Sequence, residues 1–322
     1  MSIVDFIKRS YGYVYRRTLS RLYINTNSDL NNTVLLASMG RGGSTLVSEI
    51  LNYDNRFRIV FEPMKLDQVI EFKDFAYPTY LAPSYKDENT YAVFKKAFEG
   101  KIRTNWTDSQ NKKFICKYRL VKEIRANFML GWINNNFPEV PLIILLRNPY
   151  ALAESWSRAN WPVLEFKKQI LEQQKKLQEV LPAGVLSAFN ACENVRDLTI
   201  HIWCMSYYLP LKQLGIKNYC LLYYENFIKE PESEIRKLFS FLKLEFKGNA
   251  TALIGKESSM TRQDSPLKKG ENILVSWKKK YTDEDIVRGN SIIQQYGLFD
   301  LYDFTDTFMP SDAIKLSNPV IK

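Results

Sequence analysis

Short, continuous apolar runs that alternate with polar, helix-like stretches limit the fold of this chain more than any other feature. Thr33–Ser38 reads Thr-Val-Leu-Leu-Ala-Ser, and comparable runs recur at Phe57–Phe61, Phe114–Lys117, Leu142–Leu146 and Tyr219–Tyr224. A strand that is apolar on both sides must be covered on both, and a helix between successive strands returns the chain to begin the next one in parallel. The pattern predicts an α/β fold of three layers, α/β/α, around a central parallel sheet. With 322 residues and 45% hydrophobic content, one large core suffices, and one domain over 1–322 is expected.

The formal charge of +10, from 45 Lys and Arg against 35 Asp and Glu, favours an anionic partner. Net charge is all that would support nucleic-acid binding, and none is expected. Cys116, Cys192, Cys204 and Cys220 form no CxxC pair, and the chain has one histidine, His201; free thiols in a reducing compartment and no metal site are expected. The run Pro141 to Leu146 is too short to span a bilayer, which points to a cytoplasmic protein. The N-terminal segment 1–30 is basic and aromatic: Lys8, Arg16, Arg17 and Arg21 mix with Phe6, Tyr11, Tyr13 and Tyr15. Residues 1–23 therefore suit a surface helix packed on the body, or a peripheral membrane contact.

Chemistry concentrates at Ser38-Met-Gly-Arg-Gly-Gly-Ser-Thr45, between an apolar strand and helical spacing at Leu46, Ile50 and Leu51. Backbone N–H groups and the positive end of a helix converge there on an anion, and glycine lets the backbone approach it. This strand–loop–helix unit makes the expected fold P-loop-like. The nucleoside-triphosphatase pattern GxxxxGK[ST] fails because no Lys precedes Ser44, and the dinucleotide pattern GxGxxG meets Thr45 where its last Gly belongs. A glycine turn that only starts a helix would give the same short pattern, so other elements must decide.

Three do. Leu142–Leu146 delivers Arg147, followed by Pro149 and, eight residues after Arg147, by Ser155; Arg offers a planar fork and Ser a hydroxyl to a terminal phosphate. Leu222-Tyr-Tyr-Glu-Asn-Phe227 precedes Pro231, and Lys268-Lys269-Gly270 precedes Ser276-Trp277-Lys278. In this order the four elements resemble the sulfotransferase family that uses 3′-phosphoadenosine-5′-phosphosulfate (PAPS). The resemblance implies a donor loop at Arg41, Gly42, Gly43, Ser44 and Thr45, a 3′-phosphate site at Arg147 and Ser155, Tyr224 beside the adenine, and Lys268, Lys269 and Gly270 closing over the 3′-phosphate. It further implies adenosine 3′,5′-bisphosphate as product, no metal, and two separated pockets for negative charge, one at each end of the nucleotide.

Departures from the family pattern bear on the mechanism. Leu46 stands where many small-molecule sulfotransferases carry a Trp that stacks on adenine. Cys116-Lys117-Tyr118-Arg119 keeps a lysine, Lys117, but has Arg119 at the position of the family's catalytic histidine, and arginine is a very poor base. His201 lies in an apolar helical stretch and reads as structural. Phe61-Glu62-Pro63 resembles a segment of carbohydrate and bacterial glycolipid sulfotransferases whose glutamate is the proposed base. Partial burial at a strand end should raise the Glu62 pKa to a useful value; a Glu paired with a neighbouring Lys or capping a helix is the alternative.

The expected reaction is transfer of a sulfuryl group to a carbohydrate or glycolipid hydroxyl, with Glu62 as base and Arg41 and Lys117 neutralising the leaving phosphate. The stretch 64–113, with Tyr77, Tyr80, Tyr85, Tyr91 and Trp106, reads as an acceptor-side insertion. Its Lys95, Lys96, Lys101 and Arg103 suit an anionic glycan. Rival readings are a P-loop-type kinase and a non-catalytic protein that binds polyanions or membranes.

Overall fold

The computed structural model describes residues 22–214, 219–246, 250–253 and 268–311. Most of the basic, aromatic N-terminal segment, residues 1–21, lies outside them. Five parallel strands, β1 (Thr33–Ser38), β2 (Phe57–Phe61), β3 (Tyr118–Glu123), β4 (Leu142–Leu146) and β5 (Tyr219–Tyr223), form a sheet in the order β2-β3-β1-β4-β5. Alternate residues serve two cores, as the pleat requires. Leu35, Ala37, Val60, Val121 and Ile144 join one, and Val34, Leu36, Leu120, Ile143 and Leu145 join the other. The expected three-layer arrangement follows directly.

Helices α2 (Pro149–Arg158) and α3 (Val195–Gln213) belong to the first core, whereas α1 (Ser44–Leu51) and α4 (Pro231–Phe241) belong to the second. The chain leaves β1 toward β2 in one direction and leaves β4 toward β5 in the other. The carboxyl ends of β1 and β4 therefore flank the crevice at which open parallel sheets bind ligands.

One strand differs from expectation, with consequences for the site. Phe114–Lys117 is not the third strand of the sheet; Ile115–Cys116 instead pairs with Ile24–Asn25 in a separate two-stranded ribbon. The sheet takes the next segment, Tyr118–Glu123, whose Leu36↔Lys122, Ala37↔Glu123 and Phe61↔Lys122 registers place Lys122 and Glu123 at the active edge.

The 64–113 stretch is more ordered than its weak periodicity predicts. Asp87 caps a helix over Glu88–Phe98 by accepting from the Thr90 N–H, and Phe94, Ala97 and Phe98 enter the core beside Phe72 and Tyr80. Most of its aromatic residues are thus packing. With Gln173 and Lys176 it also lines an open cavity of about 530 Å³, whose carboxylates are Glu71, Asp74 and Asp87. Among the described residues no helix is long and apolar enough to cross a membrane, and no cluster of metal-ligating side chains occurs.

Candidate functional site

The loop after β1 is built by close contacts that only glycine permits. A Cβ on Gly42 would lie 2.2 Å from Ser38 Oγ, and one on Gly43 would lie 2.3 Å from the Tyr224 ring. Gly43 has φ 95° and starts α1 with no side chain capping it, leaving the first N–H groups of the helix to an anion. Arg41 also has a left-handed backbone, φ 66°, which for a residue with a Cβ costs about 1 kcal/mol. That conformation aims its side chain at α2.

There Arg41 Nε donates to Ser155 Oγ at 3.2 Å, and Arg147 Nη1 donates to the Arg41 carbonyl at 2.8 Å. Arg41, Arg147 and Ser155 therefore meet at the β1/β4 crevice, where a single ligand can touch all three. The left-handed turn at Arg41 is the reason. Arg147 also stacks its guanidinium 4.8 Å from the centre of the Tyr224 ring, and its buried Nε has no hydrogen-bond partner. An orphaned donor on a cation, beside a helix start without a side-chain cap, fits a phosphorylated ligand.

Neighbouring residues hold this cluster in place. Asn148 caps α2 through the Tyr150 and Ala151 N–H groups, while its own N–H donates to Glu225 Oε1 at 2.9 Å. Glu225 is buried, accepts from Tyr302 as well, and has its pKa raised by burial. It thereby ties the end of β5 to the end of β4 and sets Tyr224 against the loop. Two tryptophans passed over in the sequence lie behind the loop: Trp156 Nε1 donates to the Gly40 carbonyl at 2.7 Å and Trp161 stacks on Trp156 at 4.5 Å. Their signal was proximity, Trp156 being the residue after Ser155. Lys269 and Gly270 are exposed and Lys268 half-buried. Trp277, further along that segment, stacks on Tyr150 of α2, so the segment is anchored on the helix that carries Ser155.

Glu62 stands at the same sheet edge two strands from β1, roughly 10 Å away at the spacing of paired strands. It is 6% exposed, with a left-handed φ of 43°, and Trp106 Nε1 fixes its carbonyl at 3.1 Å. Lys122 Nζ lies 2.6 Å from Oε1 and Arg125 Nη1 lies 3.0 Å from Oε2. Burial, the largest single influence, opposes ionisation, yet the attraction and hydrogen bonds of Lys122 and Arg125 together outweigh it and lower the Glu62 pKa. The expectation of a raised pKa is therefore corrected. Lys122 comes from the strand the apolar pattern missed, and Arg125 from the bend that follows it.

Lys117 and Arg119 do not reach this edge. Lys117 is exposed and precedes β3, and six residues of extended chain separate it from Glu123 by roughly 20 Å. Arg119 is buried at the opposite end, donating to Thr33 Oγ1 at 2.9 Å and the Phe98 carbonyl at 2.7 Å, and also to the carbonyls of Asn27 and Asp29. It ties down the chain that enters β1. Lys117 is therefore not placed to act in catalysis: Lys117→Ala should leave turnover within about two-fold of the parent, as for an ordinary surface change, measured as initial rates of sulfate transfer. His201 is buried in α3 with Nδ1 3.1 Å from the Tyr296 hydroxyl, and burial lowers its pKa to about 4.

A sequence model described as "Sulfotransferase family" matches residues 34–248, from β1 to just beyond α4. No curated protein matches the chain in sequence. Among solved structures, the sulfotransferase domain of the Synechococcus PCC 7002 olefin synthase is similar at 15% identity, with 82% of this chain and 94% of that one covered and a TM-score of 0.47. A mouse sulfotransferase complexed with PAP is similar at 12% identity, covering 87% of this chain and 89% of that one, with a TM-score of 0.45.

Proposed function

This chain belongs to the sulfotransferase family, and we propose that it moves a sulfuryl group from PAPS to a hydroxyl of a carbohydrate or glycolipid, as one transferase domain. The observation that carries the reading is the contact of Arg41 with both Ser155 and Arg147 at the crevice between β1 and β4. One nucleotide can engage all three. Arg147 and Ser155 hold its 3′-phosphate, and the family resemblance assigns Lys268, Lys269 and Gly270 to the same group. Tyr224 lies beside the adenine.

The N–H groups of residues 42–45 and Arg41 face the 5′ end of the donor. The acceptor oxygen attacks sulfur as Glu62 takes its proton; the new S–O bond forms while the bond from sulfur to the bridging phosphate oxygen breaks. Negative charge grows on that phosphate, and each preorganised donor facing it lowers the barrier by ~3 kcal/mol. Phe61-Glu62-Pro63 supports a sugar hydroxyl in preference to a phenol. Glu62 is a weak base while doubly paired, so turnover must loosen one of its partners.

Labelled sulfate should pass from PAPS to members of a panel of glycans and glycolipids ahead of phenols. Thermal stabilisation should be larger with adenosine 3′,5′-bisphosphate than with AMP. A polyanion-binding protein would show salt-sensitive binding with no preference for the 3′-phosphate, and that result would end the enzymatic reading.

A further inference from the structure

Glu62 has two partners, and they differ in what they can do. Lys122 is 3% exposed, wedged between the carboxylate at 2.6 Å and the Phe61 ring at 4.4 Å; parting it from Glu62 strands a buried ammonium. Arg125 is 15% exposed. It has a second carboxylate behind it, Glu123, at 3.6 Å, and its guanidinium lies 6.0 Å from the centre of the Tyr77 ring. Glu123 is itself fixed, since it accepts from the N–H groups of Met64, Ile124 and Arg125. Arg125 can therefore leave Glu62 and remain compensated.

We propose that Arg125 determines acceptor specificity: an anionic group beside the reacting hydroxyl takes the Arg125 guanidinium from Glu62, and the oxygen so freed accepts the hydroxyl proton. The claim rests on the sulfotransferase reading and narrows its acceptor to one carrying a carboxylate, sulfate or phosphate. The charges facing Glu62 are Lys122 and Arg125, with Glu123 behind Arg125 and the Tyr77 phenol alongside. With an anion bound, one cation fewer holds the Glu62 carboxyl down, so its basicity rises when an acceptor is in place.

The test uses the full chain, PAPS, and two acceptors matched except for charge, p-nitrophenyl β-glucoside and p-nitrophenyl β-glucuronide. The glucuronide should have the higher kcat/KM by about ten-fold, the worth of one charge-assisted contact. Arg125→Gln should erase that preference while leaving affinity for adenosine 3′,5′-bisphosphate unchanged. With the glucoside, Arg125→Gln should also move the acid limb of the pH–rate profile to higher pH, because the carboxyl loses a cation. Calorimetric binding of both glycosides to the bisphosphate-loaded protein gives a second readout that needs no turnover. Equal use and binding of the two glycosides by the parent protein, or a preference that survives Arg125→Gln, overturns the proposal. Absence of transfer to any acceptor, with glucuronide binding still dependent on Arg125, would instead count against the sulfotransferase reading alone.

Discussion

Replacing Arg147 with alanine should weaken binding of adenosine 3′,5′-bisphosphate by about 100-fold, the worth of a charge-assisted hydrogen bond of ~1.5–3 kcal/mol plus the loss of charge. The substitution removes the orphaned Nε, the 2.8 Å bond to the Arg41 carbonyl and the guanidinium over Tyr224. Arg147 lies at the mouth of the crevice and is only half-buried, so the fold should survive. Binding of AMP should fall much less, because the missing contact belongs to the 3′-phosphate. Arg147→Lys should be intermediate, retaining charge without the fork. Isothermal titration with the two nucleotides separates these cases, and equal losses for both would take Arg147 away from the 3′ end.

Glu62→Gln should lower kcat by about 10²–10⁴-fold, the range for loss of a general base, with donor affinity nearly intact. An unchanged kcat would remove Glu62 from the chemistry. The same change should destabilise the protein, because Lys122 loses its counter-charge; removing one partner of a buried pair costs ~3–5 kcal/mol. The pH dependence supplies a check of sign. The folded Glu62 pKa is lowered from the ordinary 4.5, so its contribution to stability is present above pH 4.5 and is lost as pH falls through the lower, folded value. The parent should lose this contribution in acid, whereas Glu62→Gln should lack that part of the decline. Thermal melts across the acid range would measure it.

The two variants probe different ends of one crevice, and their legibility in the sequence differed for physical reasons. Arg147 follows a five-residue apolar strand and precedes Pro149, so strand end, helix start and cation could all be read from local pattern. Glu62 could be placed at a strand end by the same means. Its electrostatics could not, because Lys122 is 60 residues away in the chain. The segment Tyr118–Glu123 carries Arg119, Lys122 and Glu123 within six residues, which no apolar criterion would select as a central strand. Buried, each charge has a specific partner: Glu62 for Lys122, backbone carbonyls for Arg119, and backbone N–H groups with Arg125 for Glu123. The more apolar Phe114–Lys117 reads as the strand instead, which puts Lys117 at a sheet edge it does not reach.

By itself, the sequence determined the strand–glycine loop–helix unit, the parallel α/β class and the four elements that carry the family resemblance. Hydrophobic periodicity and glycine geometry act over a few residues, and a linear chain records them directly. Tertiary structure alone decided which charged segment enters the sheet, that Arg41 turns toward Ser155, and that two distant cations hold the Glu62 carboxylate. Each of those outcomes depends on charged and polar groups brought within about 3 Å by folding, where desolvation opposes Coulomb attraction and hydrogen bonding; their balance is a property of the assembled site.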